Sequence, residues 1–435
     1  MNIGIIGSGH VGLVTGACFS DLGNQVICMD HDIGKINLLR RGRMPFYEPG
    51  LAEMVHKNCK EKRLRFSTSV REVVHFSKII FLCVGTPSRE NGEADLSAIE
   101  AVAEAIAANL TEYRVIVEKS TVPVETGVQV HGTIKAHNKT KKKIPFDVAS
   151  NPEFLREGSA IQDFFHPDRI VLGIQSKRAE NVLLDLYRPF KAPIMITDIR
   201  SAEMIKHASN SFLATKISFI NLVAQMCDRV GADVRKVAQG MGADPRIGAS
   251  FLSAGVGFGG MCFPKDLQAF IRIGEKLNVN CGLLKGVQEI NEIQKLEFVA
   301  KVQRALWNLG GKTVGALGLA FKPDTDDMRF APSISILNRL MSEGTRVKAY
   351  DPQAISQAKQ VLNGVRYVPN AYEACRGADA LLILTDWHEF KELDLKEVKK
   401  LLKRPIVVDC RNIYDPSAMK ALGFQYYSMG QAQST

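Results

Sequence analysis

Short apolar runs alternate with amphipathic segments in the first third of the chain. Asn2-Ile-Gly-Ile-Ile predicts a buried strand, and the stretch from Leu13 to Leu22 predicts a helix that ends at Gly23. A second strand is predicted at 25–29, and further strands at 78–84, 113–118 and 146–150. Apolar strands that alternate with helices indicate a parallel sheet covered on both faces. The pattern therefore predicts an α/β domain.

The last third of the chain repeats this pattern. Residues 312–320 match the opening strand and turn, 346–351 match 25–30, and 373–385 match 72–86. A further strand is predicted at 405–409, and a helix at 333–343 that Gly344 stops. The first turn of this repeat has Gly315 and Gly318 only, and it leads into a charged segment, 321–329, rather than a helix. We predict two Rossmann-like parallel-sheet domains that face each other across a cleft, of which only the first holds NAD.

Long helices fill the middle of the chain. Ser201 to Val230 predicts a helix that Gly231 closes, with Glu203 in an acidic first turn. Further helices are predicted at 233–241, 264–278 and 283–309. We therefore predict an α/β protein whose two Rossmann-like domains, 1–198 and 310–435, are joined by a long-helix central region, 199–309. Long helices between two such domains favour a homodimer.

Composition narrows the classes of partner. The 435 residues are 46% hydrophobic and 23% charged, as in a globular protein, and no apolar run is long enough to cross a bilayer. We expect no signal peptide and no membrane partner. The nine cysteines include no CxxC pair, which favours reduced thiols in a cytoplasm and argues against a disulfide framework and a structural zinc site. We therefore expect no metal.

The formal net charge of +10 indicates an anionic partner. Part of it is one lysine-rich run, 139–143, for which a solvated loop is the simplest interpretation. Because the other basic residues lack interleaved aromatic residues, nucleic-acid binding is disfavoured. A dinucleotide or a nucleotide sugar explains the charge equally well.

A glycine pattern at the first turn predicts a dinucleotide site. Gly7-Ser-Gly-His-Val-Gly12 follows the first strand and opens the first helix. Gly7 permits the tight turn, Gly9 lets the backbone approach a pyrophosphate, and Gly12 lets the helix pack on the strand. Asp30, at the end of the second strand, should accept from the ribose hydroxyls and repel a 2′-phosphate, which favours NAD over NADP. The alternative is a glycine-rich turn without a ligand.

Further candidates follow the carboxyl ends of the predicted strands, where open parallel sheets bind ligands. Thr86, Thr121 and Glu153 stand at these positions. Glu153 and Glu157 are four apart, so one helical turn would put both carboxylates on one side. Lys322, Arg329 and Arg411 stand at strand ends of the second domain and should face the cleft. Ordinary turn and cap chemistry is the alternative for Thr86, Thr121 and Glu153.

The stretch from Gly255 to Asp266 carries the chemistry best suited to catalysis. It places four glycines within six residues and then one cysteine, Cys262. Pro264 suits the first position of a helix, so Cys262 is predicted just before the helix, where unpaired N–H groups favour a thiolate. A buried, inert cysteine is the alternative. Lys206 and Asn210 share one helical face that presents an ammonium and an amide, unless that face is simply solvent-exposed.

These motifs resemble those of the UDP-glucose/GDP-mannose dehydrogenase family, and the resemblance covers essentially the whole chain. It rests on the motifs at 7–12, 85–87, 120–123, 151–158, 166–171, 202–210, 257–266 and 318–329. The Pro-Asp-Arg after His166 and the Cys-Phe-Pro-Lys-Asp from Cys262 are closer to the UDP-glucose branch. Met261 departs from the family pattern, as do His10 and Leu222.

The resemblance implies an NAD-dependent four-electron oxidation of UDP-glucose at carbon 6, with Cys262 as the nucleophile that carries a thiohemiacetal and then a thioester. It implies that Lys206 and Asn210 stabilise the oxyanion, that Asp266 and Thr121 order water and move protons, and that Glu157 lies near nicotinamide and substrate. The implied cofactor contacts are Gly7, Gly9, Val11, Gly12, Asp30, Lys35, Thr86, Thr121, Glu157, Lys265 and Arg329. The implied contacts to the sugar nucleotide are Glu153, Phe154, Leu155, Lys206, Asn210, Arg246 (across a dimer), Phe251, Leu252, Ser253, Gly255, Gly259, Lys322 and Arg411.

Three alternatives stay open at this point. The same chemistry could act on another nucleotide sugar, UDP-N-acetylmannosamine or GDP-mannose. A non-catalytic NAD-binding regulator could use the same fold, although the combination of Cys262, Lys206, Asn210 and Asp266 argues against it. An ordinary two-electron dehydrogenase would have no need for Cys262.

Overall fold

The structure is a computed structural model that describes residues 1–89, 91–138 and 143–431. It divides into two compact units, one of residues 1–209 with 268–278 and the other of 210–267 with the chain from 279 onward. The lysine-rich run lies outside the described residues except for Lys143.

The first unit is built on a sheet of eight strands in its described residues, in the order β3-β2-β1-β4-β5-β6-β7-β8. All neighbours are parallel except β6 and β7, which meet antiparallel at Ser150 and Gly173. The strands are β1 (Asn2–Ile6), β2 (Gln25–Met29), β3 (Leu64–Ser67), β4 (Ile79–Leu82), β5 (Arg114–Glu118), β6 (Phe146–Ser150), β7 (Ile170–Gly173) and β8 (Ile194–Thr197). The helices are α1 (His10–Asp21), α2 (Ile33–Arg40), α3 (Leu51–Lys60), α4 (Val70–Phe76), α5 (Ser97–Asn109), α6 (Thr126–His137), α7 (Ala160–Phe165) and α8 (Lys177–Tyr187).

Helices cover both faces of this sheet, as the continuous apolar runs predict. Along β4, Ile79 and Phe81 join one core cluster, whereas Ile80 and Leu82 join the cluster on the opposite face. Successive strand residues point to opposite faces, so each face buries half of the strand. The predicted α/β class is confirmed.

Four helices follow: α9 (Ile199–Val230), α10 (Val234–Gly242), α11 (Cys262–Lys276) and α12 (Gly282–Leu306). The start predicted for α9 at Ser201 was two residues late, because Asp198 caps it. The Asp198 carboxylate accepts from the Ser201 backbone N–H at 2.9 Å and from the Ser201 hydroxyl at 2.6 Å. Glu203 therefore lies beyond the first turn. It is buried and accepts instead from the backbone N–H groups of Glu125 and Gly127, at the start of α6.

The second unit repeats the topology on six strands of its described residues, ordered β11-β10-β9-β12-β13-β14 and all parallel. This is the nucleotide-binding order 3-2-1-4-5-6. The strands are β9 (Thr313–Leu317), β10 (Arg346–Tyr350), β11 (Arg366–Tyr367), β12 (Ala380–Ile383), β13 (Ile406–Asp409) and β14 (Gln425–Ser428). The helices are α13 (Pro332–Ser342), α14 (Ile355–Val361), α15 (Ala371–Cys375), α16 (His388–Lys391), α17 (Leu395–Leu401) and α18 (Pro416–Ala421).

The first turn of this repeat matches that of the first unit in detail. Gly318 has φ +90° and donates to the Tyr350 carbonyl at 2.9 Å, as Gly7 (φ +100°) donates to Met29 at 2.8 Å. The predicted difference also holds, because residues 318–331 form no helix before α13 begins at Pro332. The second turn thus has the same backbone geometry as the first, but no helix begins directly after Gly318.

Candidate active site

The turn between β1 and α1 has the geometry that a dinucleotide requires. A Cβ on Gly12 would lie 1.8 Å from the Gly7 carbonyl oxygen, so helix and turn approach more closely than any side chain permits. A Cβ on Gly9 would meet no atom within 4 Å, which leaves space beside the turn for a ligand. Ser8 is buried, and its Oγ has no hydrogen-bond partner among the described residues. These residues fit a bound pyrophosphate at a helix N-terminus.

Asp30 closes this turn from the end of β2. Its carboxylate accepts from the backbone N–H of Ser8 at 2.9 Å and of Asp32 at 3.1 Å, and it pairs with Lys35 Nζ at 2.8 Å. Burial would raise the pKa of Asp30, but these donors outweigh burial and hold the pKa below its ordinary value. Asp30 is therefore a fixed anion at neutral pH, as discrimination against a 2′-phosphate requires. Val11, half-buried in α1, follows the same turn.

The loops after β4 and β5 meet at the carboxyl ends of the strands of the first sheet. The Thr86 hydroxyl donates to the backbone carbonyl of Thr121 at 2.9 Å. Two predicted site residues from different strands are thus brought together, as the rule for parallel sheets anticipates.

Glu153, after β6, forms a buried ion pair with Lys206 of α9. The Glu153 Oε1 and Lys206 Nζ atoms are 3.0 Å apart, and both side chains are almost fully buried. Solvent exposure, the alternative for Lys206, is therefore wrong. The Phe154 ring lies 5.3 Å from Lys206 Nζ, and Leu155 donates its backbone N–H to Glu153 at 2.7 Å. Four residues predicted to contact the sugar nucleotide thus form one cluster.

The helical turn expected to align Glu153 with Glu157 is not formed. Residues 151–156 have no helical structure, and a turn follows at Glu157 and Gly158. Two local features oppose a helix there. Pro152 disfavours helical backbone at Asn151, and the Glu153 side chain takes the Leu155 N–H two residues on.

A second buried ammonium lies beside this cluster. Lys119 Nζ is 3.0 Å from Asn151 Oδ1, and burial lowers the pKa of Lys119 to about 8. Tyr187 also donates to Asn151 Oδ1, at 2.5 Å. Lys119 is not among the predicted site residues, although a lysine directly after an apolar strand was a usable signal.

Cys262 is the first residue of α11, not the residue before it. Pro264 occupies the third helical position rather than the first, which a helix tolerates because none of its first N–H groups has an intrahelical partner. All nine cysteines lie in the described part of the chain, all are thiols, and Cys262 alone is exposed. Burial, the alternative for Cys262, is therefore wrong.

Asp266 is held by two donors within the first turns of α11. Asn210 Nδ2 donates to Asp266 Oδ2 at 2.6 Å, and Lys265 Nζ lies 2.9 Å from Asp266 Oδ1. Asp266 and Asn210 are both buried, so the alternative of an exposed Asn210 is also wrong. Three of the predicted residues therefore form one group, joined by a hydrogen bond and an ion pair, a turn along the helix from Cys262.

The loop before α11 packs on the second sheet. A Cβ on Gly255 would lie 2.8 Å from the Cys410 carbonyl oxygen and 3.6 Å from the Arg411 guanidinium, and a Cβ on Gly259 would lie 2.4 Å from the Phe330 carbonyl oxygen. Arg411 donates in turn to the backbone carbonyls of Leu384 and Phe321. Contacts within the protein thus require glycine here, in addition to the ligand approach that the sequence predicts.

The other predicted residues of this unit occupy its surface and loops. Arg329 pairs with Asp327 at 2.7 Å and contacts Met261 Sδ, and Lys322 Nζ lies 5.8 Å from the Phe321 ring. Arg246 is 88% exposed and pairs with Asp244. In the segment just before Gly255, Leu252 is buried, Phe251 is half-buried and Ser253 is exposed.

Two further findings concern the described residues as a whole. No cluster of three or more histidine, cysteine or carboxylate side chains is arranged to hold a metal ion in the described part of the chain. Among the same residues, no helix combines the length and the apolar character needed to cross a bilayer.

A glycine turn that fits a pyrophosphate, a fixed anion at Asp30 and a second nucleotide-type sheet are the features of an NAD-binding protein with two Rossmann-like sheets. Sequence profiles sharpen this assignment. The NAD binding domain of the UDP-glucose/GDP-mannose dehydrogenase family matches residues 1–191, its central domain 200–293 and its UDP binding domain 315–416. The chain belongs to this family, and its cofactor is NAD.

Individual relatives extend over the whole chain. It is 48% identical over 430 residues to a UDP-glucose 6-dehydrogenase of Bacillus subtilis, covering 99% of this chain and 93% of the relative. It is 44% identical to a UDP-glucose 6-dehydrogenase of Rhizobium meliloti, covering 99% and 100%. Among solved structures, a UDP-glucose dehydrogenase of Pyrobaculum islandicum matches with a TM-score of 0.92 and 38% identity, covering 99% and 98%.

Proposed function

We propose that this chain oxidises UDP-glucose to UDP-glucuronate with two NAD⁺ and one water, through a covalent intermediate on Cys262. The relatives named UDP-glucose 6-dehydrogenase support the choice of sugar nucleotide. The observation that carries the mechanism is the exposed Cys262 thiol at the first residue of α11. A helix start favours an anion, and a thiolate attacks an aldehyde well and later leaves a thioester well.

The four electrons leave carbon 6 in two oxidations, in each of which NAD⁺ accepts a hydride. After the first, the Cys262 thiolate adds to the aldehyde carbon, and the carbonyl π electrons move to oxygen. After the second, carbon 6 is a thioester on Cys262. Water adds to that carbonyl, the sulfur leaves with its bonding electrons, and a carboxylate and three protons are formed overall. The covalent bond keeps the aldehyde from escaping between the two oxidations.

Two further residues are proposed to donate hydrogen bonds to the oxyanion that develops during the reaction. We assign this task to the Lys206 ammonium and the Asn210 amide, since such donors contribute most where water is excluded. Both side chains are buried, which supports the assignment. Glu153 balances the charge of Lys206 at 3.0 Å.

Asp266 and Thr121 are proposed to order the hydrolytic water and to move its protons. The donors Asn210 and Lys265 hold the Asp266 carboxylate as an oriented acceptor. Glu157 is proposed to lie near the nicotinamide.

The two nucleotides are assigned to different regions. We place NAD on residues 1–198 and the UDP-sugar on residues 310–435, with 199–309 carrying the nucleophile. Lys322, Arg411 and Gly259 are the proposed contacts to the UDP-sugar. The match of residues 315–416 to a UDP binding domain supports this division.

We also propose a homodimer, on the evidence of an apolar stripe on α9. Phe212, Phe219 and Met226 are seven residues apart, and they are 66%, 47% and 54% exposed. This heptad spacing suits pairing with a second copy of the chain. Sedimentation should give twice the mass of one chain, and a monomer would contradict the proposal. Because Cys262 must stay a thiol, we place the enzyme in the reducing cytoplasm.

Two experiments test the function. Cys262→Ala should keep NAD⁺ binding but yield no uronate, whereas the control Cys281→Ala, which removes a half-buried thiol of the same unit, should stay active. Uronate formation by Cys262→Ala would show that the thiol is a bystander. A panel of UDP-glucose, UDP-N-acetylmannosamine and GDP-mannose, assayed for NADH, identifies the sugar. If none of the three sugars yields NADH, the proposed dehydrogenase activity is contradicted and the non-catalytic NAD-binding regulator is favoured.

A further inference from the structure

The loop from Gly255 to Gly260, which leads into Cys262, is buried yet irregular. All six residues are buried, and they belong to no helix or strand. Buried backbone groups outside a helix or sheet still require hydrogen-bond partners. The partners in this loop come from side-chain amides on two long helices.

Three buried amides bind both backbone groups of two loop residues. Asn221 of α9 accepts from the Gly255 N–H at 2.8 Å, and Gln294 of α12 donates to the Gly255 carbonyl at 2.7 Å. Asn291 of α12 accepts from the Phe258 N–H at 2.8 Å and donates to the Phe258 carbonyl at 3.1 Å. Asn221 and Gln294 are fully buried, and Asn291 is 4% exposed.

We propose that these three residues, which we call the amide clamp, are positioning residues for the Cys262 nucleophile. This inference rests on the proposed function of Cys262. The clamp holds the N–H and the C=O of Gly255 and of Phe258, which belong to four peptide groups, and so fixes the entry of the chain into α11. It acts through the loop, since the hydrogen bonds of these three amides to the loop all end on its backbone.

The geometry of Gly257 supports a clamp rather than incidental packing. Gly257 has φ +96°, and a Cβ there would lie 2.4 Å from Asn291 Oδ1. The loop conformation and the Asn291 amide therefore depend on each other, since any other residue at 257 would displace the amide. An amide group offers a donor and an acceptor at one site, which an aliphatic residue of the same size cannot do.

Gln294→Met tests the clamp with a matched control. Methionine nearly keeps the shape of glutamine but removes the donor to the Gly255 carbonyl. The control is Gln225→Met on α9, because Gln225 Nε2 donates to Gln294 Oε1 at 3.0 Å but no bond to the loop involves it. Both variants lose an amide from the same hydrogen-bond chain, so Gln225→Met shows how much of any loss comes from general destabilisation.

Only Gln294→Met should alter the nucleophile. We expect kcat with UDP-glucose to fall about tenfold and KM for NAD⁺ to stay within about twofold, because a buried carbonyl loses its partner. Alkylation of Cys262 by iodoacetamide, followed by peptide mass spectrometry without any sugar, should slow about tenfold as the start of α11 loosens. Asn291→Leu removes both bonds at Phe258 and should have a larger effect.

Identical kcat and alkylation rates in Gln294→Met and Gln225→Met would overturn the clamp. An inactive wild type would instead contradict the proposed function. In that case the alkylation comparison, which requires no turnover, still decides the clamp. If Gln294→Met does not fold, Asn221→Leu, which removes only the acceptor for the Gly255 N–H, takes its place with the same two outcomes.

Discussion

Replacing Glu118 with glutamine should flatten the dependence of stability on pH. Glu118 ends β5 and is buried; its Oε1 accepts from the Ser120 backbone N–H at 2.9 Å. Its Oε2 has no hydrogen-bond partner among the described residues. Burial raises the pKa of Glu118 from 4.5 to about 8. Glutamine keeps the acceptor for Ser120 but cannot ionise.

The size of the effect follows from the shift in pKa. Because the folded value lies above the unfolded one, the folded chain keeps a proton at neutral pH that the unfolded chain has released. The free energy of unfolding therefore falls as pH rises toward 8, by about 1.4 kcal/mol for each pH unit well below the folded pKa. For Glu118 the loss between about pH 6 and about pH 8 is about 2 kcal/mol.

Glu203 adds to this loss in the same direction. Burial raises its pKa to about 7, so it contributes about 1 kcal/mol over the same interval. The wild type should therefore lose about 3 kcal/mol between pH 6 and pH 8, and Glu118→Gln about 1 kcal/mol. Urea titrations at the two pH values measure the difference. The control Glu53→Gln, which removes an exposed carboxylate of the same unit, should behave like the wild type. An unchanged pH dependence in Glu118→Gln would refute the reasoning.

Two further substitutions test the cofactor turn and the oxyanion donor. Gly12→Ala should weaken NAD⁺ binding about 5- to 150-fold in calorimetry, since the clash with the Gly7 carbonyl costs about 1–3 kcal/mol. The control Gly132→Ala, where a Cβ meets no atom within 4 Å, should bind NAD⁺ as the wild type does. Equal NAD⁺ affinities of the two variants would contradict the role of the turn. Lys206→Met should lower kcat by about 10²–10³-fold in single-turnover assays, whereas Lys216→Met on the same helix should not. A similar loss in both would remove Lys206 from the chemistry.

The sequence predicts the fold class and the glycine turns well because both rest on local rules. Apolar runs, turn glycines and the acid at the end of β2 act within a few residues of one another. Helix starts are less predictable when a distant or neighbouring side chain sets them. Asp198 moves the start of α9, and Pro264 misleads because a helix tolerates proline at any of its first positions.

Contacts between distant residues escape the sequence altogether. Glu203 looks like a charge that stabilises its own helix, but it caps α6, 76 residues earlier in the chain. The amides of Asn221, Asn291 and Gln294 look like ordinary polar residues of long helices until the loop that they bind is placed. A polar residue on the buried, otherwise apolar face of a helix would indicate such a contact. This indication can be used only when the buried face of the helix is already known.

The ratio of NADH formed to UDP-glucose consumed tests the central claim most directly. Purified protein with excess NAD⁺ and limiting UDP-glucose should yield two NADH for each UDP-glucose, with UDP-glucuronate as the product, because the covalent thioester commits each aldehyde to a second oxidation. One NADH for each UDP-glucose, with release of the aldehyde, would contradict the account.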